Sequence, residues 1–196
     1  MKEDRRIVRS KLALKESLLT LMSEKSFSAI SITEIVERAN YNRGTFYTHY
    51  ENKEALLDDV ISELIDELVE SFRAPYGDVD VFRVDELSAN SVKIFEHIHD
   101  RASVYTTLFH SEVLPLIKEK MFTTIKKLSS EELEQETDSI NRELLMVYSI
   151  HALMGLVFHW IESGFQYTPA YMQDQLIRII NWRPTTAKTH VKKERN

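Results

Sequence analysis

The apolar positions of this chain recur at intervals of three and four over most of its length, the spacing of helices that bury one face. Leu14, Leu18, Leu21 and Met22 make a stripe along a first helix at 6–24. Phe27 and Ile30 fall in the next connection, where they can plug a small core. Ile32, Ile35, Val36 and Ala39 mark a second, short helix, and Phe46 with Tyr50, four apart, the inner face of a third at 43–50. The spacing resumes through Leu56, Leu57, Val60, Ile61, Leu64, Ile65, Leu68 and Val69, so 54–72 reads as one long helix, stopped by Pro75 and Gly77. The stretch 74–84 is the best loop and boundary, with apolar Val79, Val81 and Phe82 calling for packing. Further helices are predicted at 86–100, 102–109, 114–128, 138–163 and 170–182, with 129–138 an acidic loop or frayed helix end.

The segment 31–53 carries the most specific local chemistry. Ser31 followed three residues later by Glu34 is a capping box. Asn40 suits a left-handed turn, and Asn42 and Asn52 are caps for the helices that follow them. The third helix turns Arg43, Thr45, Thr48 and His49 to solvent, side chains able to reach phosphates and base edges in a major groove. Lys53 lies in the first turn of the next helix, where a cation opposes the helix dipole and a DNA phosphate would repay it.

The string RGTFYTHYENKEALL resembles the recognition helix and following helix of the tetracycline-repressor (TetR) family of bacterial transcription regulators, through Asn42, Gly44, Thr45, Phe46, Tyr47, His49, Tyr50, Lys53 and Leu56. Asn40, Asn42 and Tyr50 stand where the family commonly has Gly, Ser and Phe, and Thr48 replaces a larger side chain, which leaves sequence preference open. The resemblance implies an all-α chain of about nine helices, short of breakers as such a chain should be. It implies a helix-turn-helix DNA-binding domain at 1–52 and an effector-binding and dimerisation domain at 53–183; residues 184–196, polar and basic, read as a flexible tail. The implied DNA contacts are Ser31, Thr33, Asn42, Arg43, Gly44, Thr45, Tyr47, Thr48, His49 and Lys53. The basic start (Arg5, Arg6, Arg9, Lys11) would lie near phosphate in that family; as a solvated terminus it needs no such partner.

Composition adds limits. With 43% apolar residues the chain can support a core, and with no cysteine it lacks disulfides and thiolate metal sites, consistent with a cytoplasmic protein. Net charge is -6, but residues 1–54 hold 10 Lys+Arg against 8 Asp+Glu, so an acidic body carries a mildly basic head. The 4 glycines are scattered, and no nucleotide cradle, nucleophile elbow or H-E-x-x-H is present, so no enzyme activity, cofactor or metal is expected. On one helix His97 and His99 point roughly 200° apart, and His151 and His159 lie about 12 Å apart, so neither pair closes on one metal. His97 is expected on the surface, and His151 in the core or at a pocket.

Leu144 to Ile161 holds no charged residue over 18 positions, the short edge of a membrane span, yet His151, His159 and Ser149 interrupt it. A helix this apolar is also a core or dimer helix, and the resemblance favours pairing of the last two helices across a two-fold axis. Such a homodimer would read a palindromic operator on double-stranded DNA. Phe95, Tyr105, Phe109, Tyr148, His151 and Trp160 are candidates to line a pocket for a small-molecule effector, and are equally the material of a helical core. The expected function is a homodimeric repressor released by a small molecule; the alternative is an activator or co-activator whose body binds a protein partner.

Overall fold

The computed structural model describes residues 5–79, 83, 86–133 and 140–182. Among the described residues there are nine α-helices and no strands: α1 (Arg5–Glu24), α2 (Ile32–Arg38), α3 (Arg43–Tyr47), α4 (Lys53–Arg73), α5 (Ile94–Asp100), α6 (Ala102–Phe109), α7 (Leu114–Glu132), α8 (Arg142–Glu162) and α9 (Pro169–Ile180). Single 3-10 turns stand at Phe27–Ala29 and Ala89–Ser91.

The head is closed by residues that the periodicity singles out. Leu14, Leu18, Leu21 and Met22 of α1 are buried against Phe27, Ile30, Ile35, Val36, Phe46 and Tyr50. The capping box at α2 is complete, with the Glu34 N–H donating to Ser31 Oγ at 3.3 Å and the Ser31 N–H to the Glu34 carboxylate at 3.0 Å. Hydrogen bonds from Lys25 and from Ser31 hold the Glu34 carboxyl down at about 2. α2 ends in a Schellman turn: Asn40 has φ 57°, its N–H reaches Glu37 O, and the Tyr41 N–H reaches Val36 O at 2.9 Å.

α4 joins head to body. Its Asp59 accepts from the Tyr50 hydroxyl at 2.7 Å and pairs with Lys15 of α1 at 3.0 Å, while Glu63 pairs with the same Lys15 at 2.8 Å. Burial pushes the Asp59 carboxyl up, but the Tyr50 hydrogen bond and the Lys15 ammonium outweigh it and leave it below the ordinary value. Towards the body, Asp58 pairs with Lys120 and Arg73 with Glu132, both on α7, and Glu67 takes the Arg101 guanidinium on two nitrogens. One helix is therefore tied to α1 on one side and to α7 and the α5–α6 junction on the other.

The body core centres on α8. Trp160 lies edge-on to Phe95 (5.5 Å) and to Phe165 (5.1 Å), and its indole N–H donates to Tyr167 O at 2.9 Å. Tyr105 and Phe109 of α6 pack behind it, with Ile117, Met121 and Ile125 of α7.

Four boundaries differ from the periodicity by three residues or more, and α9 ends two residues early, at Ile180. α3 stops at Tyr47 rather than at 50, because Asn52 must be extended (φ -153°, ψ 176°) to cap α4; the Thr48 hydroxyl bonds Thr45 O, and the His49 and Tyr50 N–H groups close on Phe46 O. The helix predicted at 86–100 begins only at Ile94. Ser88 and Ser91 before it bond locally, the Ser91 hydroxyl to Ser88 O at 2.7 Å, and compete with helix. α7 runs on to Glu132, so 129–132 is helix rather than loop, held by the Arg73–Glu132 pair. α8 starts at Arg142 under an Asn141 cap. The expectations for Val81, Phe82, 134–139 and the tail 184–196 lie outside the described residues.

Candidate nucleic-acid interface

α3 is one and a half turns long and fastened from below. Phe46 is its buried residue, and Asn42 caps it, accepting the Thr45 N–H at 2.9 Å. A Cβ on Gly44 would come within 3.0 Å of that cap oxygen, so a bare backbone suits the second helical position. The exposed face carries Arg43, Tyr47 and Thr48. Arg43 donates to the Tyr47 hydroxyl at 3.0 Å and lies 5.8 Å from its ring, so the two form a joined cationic and aromatic surface. Thr33 of α2 is exposed beside it, Thr45 is half-exposed, and the exposed Ser31 has its hydroxyl engaged in the capping box.

Two expected contacts are placed differently. Lys53 directs its ammonium inward: it donates to Phe27 O (2.9 Å), Ser28 O (3.1 Å) and Ile30 O (2.8 Å), and lies 4.7 Å over the Phe27 ring. Three carbonyls facing one ammonium satisfy all its donors, so Lys53 staples the 3-10 turn to α4. His49 is half-buried, with Nε2 2.7 Å from Ser10 Oγ on α1, and is not the solvent-facing reader its position implied. Of the basic start, Lys11 turns to Asp59 (3.8 Å) and the Tyr50 ring, whereas Arg6 and Arg9 stand on the edge of a cleft between α1 and α3. Ser10 was legible only indirectly, as a polar residue four before Leu14 on a buried stripe.

The six effector candidates do not converge. Phe95, Tyr105, Phe109 and Trp160 are buried and packed on one another or on Phe158, as core. Tyr148 is 74% exposed, and His151 is exposed too, its Nδ1–H donating to Val147 O at 2.7 Å and its ring against Phe122. Their periodicity matched the core residues because α8 is apolar on nearly every side. His97 is not a surface residue: it is half-buried, with Nε2 3.1 Å from the Tyr105 hydroxyl and Nδ1 3.8 Å from Glu67. Among the described residues no cluster of three or more possible metal ligands occurs.

α8 is long and apolar enough to cross a membrane by length and composition, and little of its apolar stretch, 28%, is buried within the protomer. The uncovered side carries Leu144, Tyr148, Ala152, Gly155 and His159, and His159 lines a cleft with Tyr171 and Ile179 of α9; Ile180 and, beyond the helix, Trp182 are exposed too.

The sequence model for bacterial regulatory proteins of the tetR family matches residues 16–60, and that for a TetR transcriptional regulator C-terminal region matches residues 85–182. The chain is 26% identical over 180 residues to an uncharacterized HTH-type transcriptional regulator, YxbF, of Bacillus subtilis (strain 168), covering 91% of this chain and 46% of that protein. It is 24% identical over 114 residues to the HTH-type transcriptional repressor KstR2 of Rhodococcus jostii (strain RHA1), covering 57% and 54%. The chain thus spans about half the length of the curated relatives it matches. A TetR transcriptional regulator from Streptococcus agalactiae 2603V has the same fold, with a TM-score of 0.58 at 22% identity, covering 90% of this chain and 96% of that one. A capped helix-turn-helix head under a helical body, matched in both parts by the family's sequence models, makes this chain a member of the TetR family of DNA-binding transcriptional regulators.

Proposed function

We propose that the protein is a homodimeric repressor that reads a palindromic operator through α3 and leaves it when a small molecule binds the body. The observation that carries this is the outward Arg43–Tyr47 pair on a helix held from below by Phe46 and the Asn42 cap. Arg43, Tyr47, Thr48 and Thr33 are the side chains assigned to DNA, with Asn42 and Gly44 shaping the helix entry. One such helix offers few base contacts, and a two-fold pair doubles them. The uncovered apolar side of α8 and α9 is the surface assigned to pairing. Repression follows the printed name of one relative, KstR2. Support for effector release comes from α4, whose ties to α1, α7 and the α5–α6 junction let a change in the body reach the head. The head is assigned to 1–52 and the body to 53–183, acting on DNA in the cytoplasm.

The test is selection of a duplex from a randomised library by the purified chain, followed by gel shift across salt concentrations. A palindromic site is expected, with affinity falling steeply as salt rises. Arg43→Ala and Tyr47→Ala should each weaken the shift, and retention of full binding by both would remove the site assignment. A reporter behind the selected site rises in a deletion strain if the protein represses and falls if it activates. A thermal-shift screen of small molecules tests the effector.

A further inference from the structure

Ser10 sits in the buried stripe of α1 and is 4% exposed. Its hydroxyl lies 2.9 Å from Arg6 O, 3.0 Å from Ile7 O and 2.7 Å from His49 Nε2. The two carbonyls can only accept, so they take the single hydroxyl proton, and the imidazole must donate from Nε2–H to Ser10 Oγ. This bond joins positions 39 residues apart, linking the first turns of α1 to the turn that ends α3. It forms the floor of a cleft of about 380 Å³, with Arg6, Ile7 and Arg9 on one wall and Tyr41, Thr45 and Thr48 on the other.

We propose that Ser10 and His49 form a positioning pin for the recognition helix. α3 has five residues and a single buried side chain, Phe46; just beyond it Tyr50 is buried and ties the end of the turn to Asp59 of α4. The pin is a further anchor at that far end, made to α1 instead of to α4. It sets the angle of α3 against the turn that carries Arg6 and Arg9, so that base-facing residues and arginines meet one duplex together. His49 therefore acts on specificity through Ser10, without touching a base. The proposal rests on the DNA-binding reading above.

The test uses the full-length chain, the duplex it enriches from a randomised library, and an unrelated duplex of equal length. Affinity for each is measured for Ser10→Ala, His49→Leu, the double variant and His49→Gln, beside a thermal melt of each. Ser10→Ala and His49→Leu should each lose about tenfold on the enriched duplex, the scale of one hydrogen bond. The double variant should lose the same amount, well short of the roughly hundredfold product of independent sites. Binding to the unrelated duplex should change by less than about twofold, since phosphate contacts alone supply it. His49→Gln, whose amide N–H can reach the same oxygen, should recover to within about threefold of wild type. Multiplicative losses, equal losses on both duplexes, or Gln no better than Leu would overturn the pin. If the wild-type chain enriches no duplex, the DNA-binding reading falls and takes the pin with it. If it does, and Ser10→Ala binds as wild type, the pin alone falls. Should His49→Leu fail to fold, Ser10→Ala against His49→Gln decides.

Discussion

Single side chains in this protein are assigned by the donors and acceptors around them more than by their type. Asn42 and Asn52 show this simply: each accepts a backbone N–H three residues on and starts a helix. Asn42→Ala should cost about 1 kcal/mol of stability in denaturant unfolding and weaken operator binding, because α3 loses its entry cap. His97 is the more informative case. Tyr105 is fully buried with its hydroxyl 3.1 Å from His97 Nε2, and the Glu67 carboxylate, 3.8 Å from Nδ1, favours the tautomer with its proton on Nδ1, in which Tyr105 donates to Nε2. Burial pulls the His97 pKa below the ordinary histidine value against the attraction of Glu67. Protonation at Nε2 would turn an acceptor into a donor and strand the Tyr105 proton. The sign follows from that lowered pKa: below the unfolded value of about 6.5 the unfolded chain binds the extra proton, so stability is full above that pH and falls as pH drops through it. Denaturant midpoints compared at about pH 7.5 and about pH 5.5 should show this fall, at no more than about 1.4 kcal/mol per pH unit. His97→Gln, which keeps an acceptor for Tyr105, should flatten it.

At the scale of helices, α2, α3, α4, α8 and α9 are marked by a side-chain N-cap as well as by their period, and several helix ends were moved by neighbours. α4 is one residue longer at each end than its apolar period implies, capped by Asn52 and held at its far end by Arg73–Glu132. The same pair holds the last turn of α7, at 129–132, in the stretch expected as loop or frayed helix end. Exposed pairs of this kind are worth about 0–1 kcal/mol each, so the stability of the body comes from its apolar contacts. Trp160 is the largest of the fully buried side chains and touches Phe95, Phe165 and, through its N–H, Tyr167 O. Trp160→Ala should cost about 3–5 kcal/mol, read from the denaturant midpoint, whereas Tyr148→Ala on the same helix should cost under about 0.5 kcal/mol in a monomeric background. Helical period alone does not separate these two residues, since on an all-apolar helix every side matches the pattern.

For the whole molecule, the question is what covers α8. Its apolar stretch keeps an exposed side within one protomer, and Tyr171 and Ile179 of α9, which line a cleft with His159, extend that surface. Pairing with a second copy would bury it and bring two α3 helices to one duplex. Replacing Tyr148 and Ile179 together by Asp should yield a folded monomer in sedimentation velocity, with operator affinity reduced by about 100-fold or more, as half of the base contacts are lost. A double variant that stays dimeric would move the interface elsewhere.

The amino-acid sequence by itself determined the helical character, the order of the helices and the shape of the turn between α2 and α3. Those features depend on the 3.6-residue period and on caps that act over three or four positions, as Ser31–Glu34 and Asn42–Thr45 do. Tertiary structure alone decided which polar and aromatic groups remain available for a partner. Lys53 is taken up by carbonyls 23 to 26 residues away and His49 by a serine 39 residues away. Tyr148 is left outside because α6 and α7 pack on another side of α8. Partners at such separations leave no periodic trace, because they are chosen by how the helices cross.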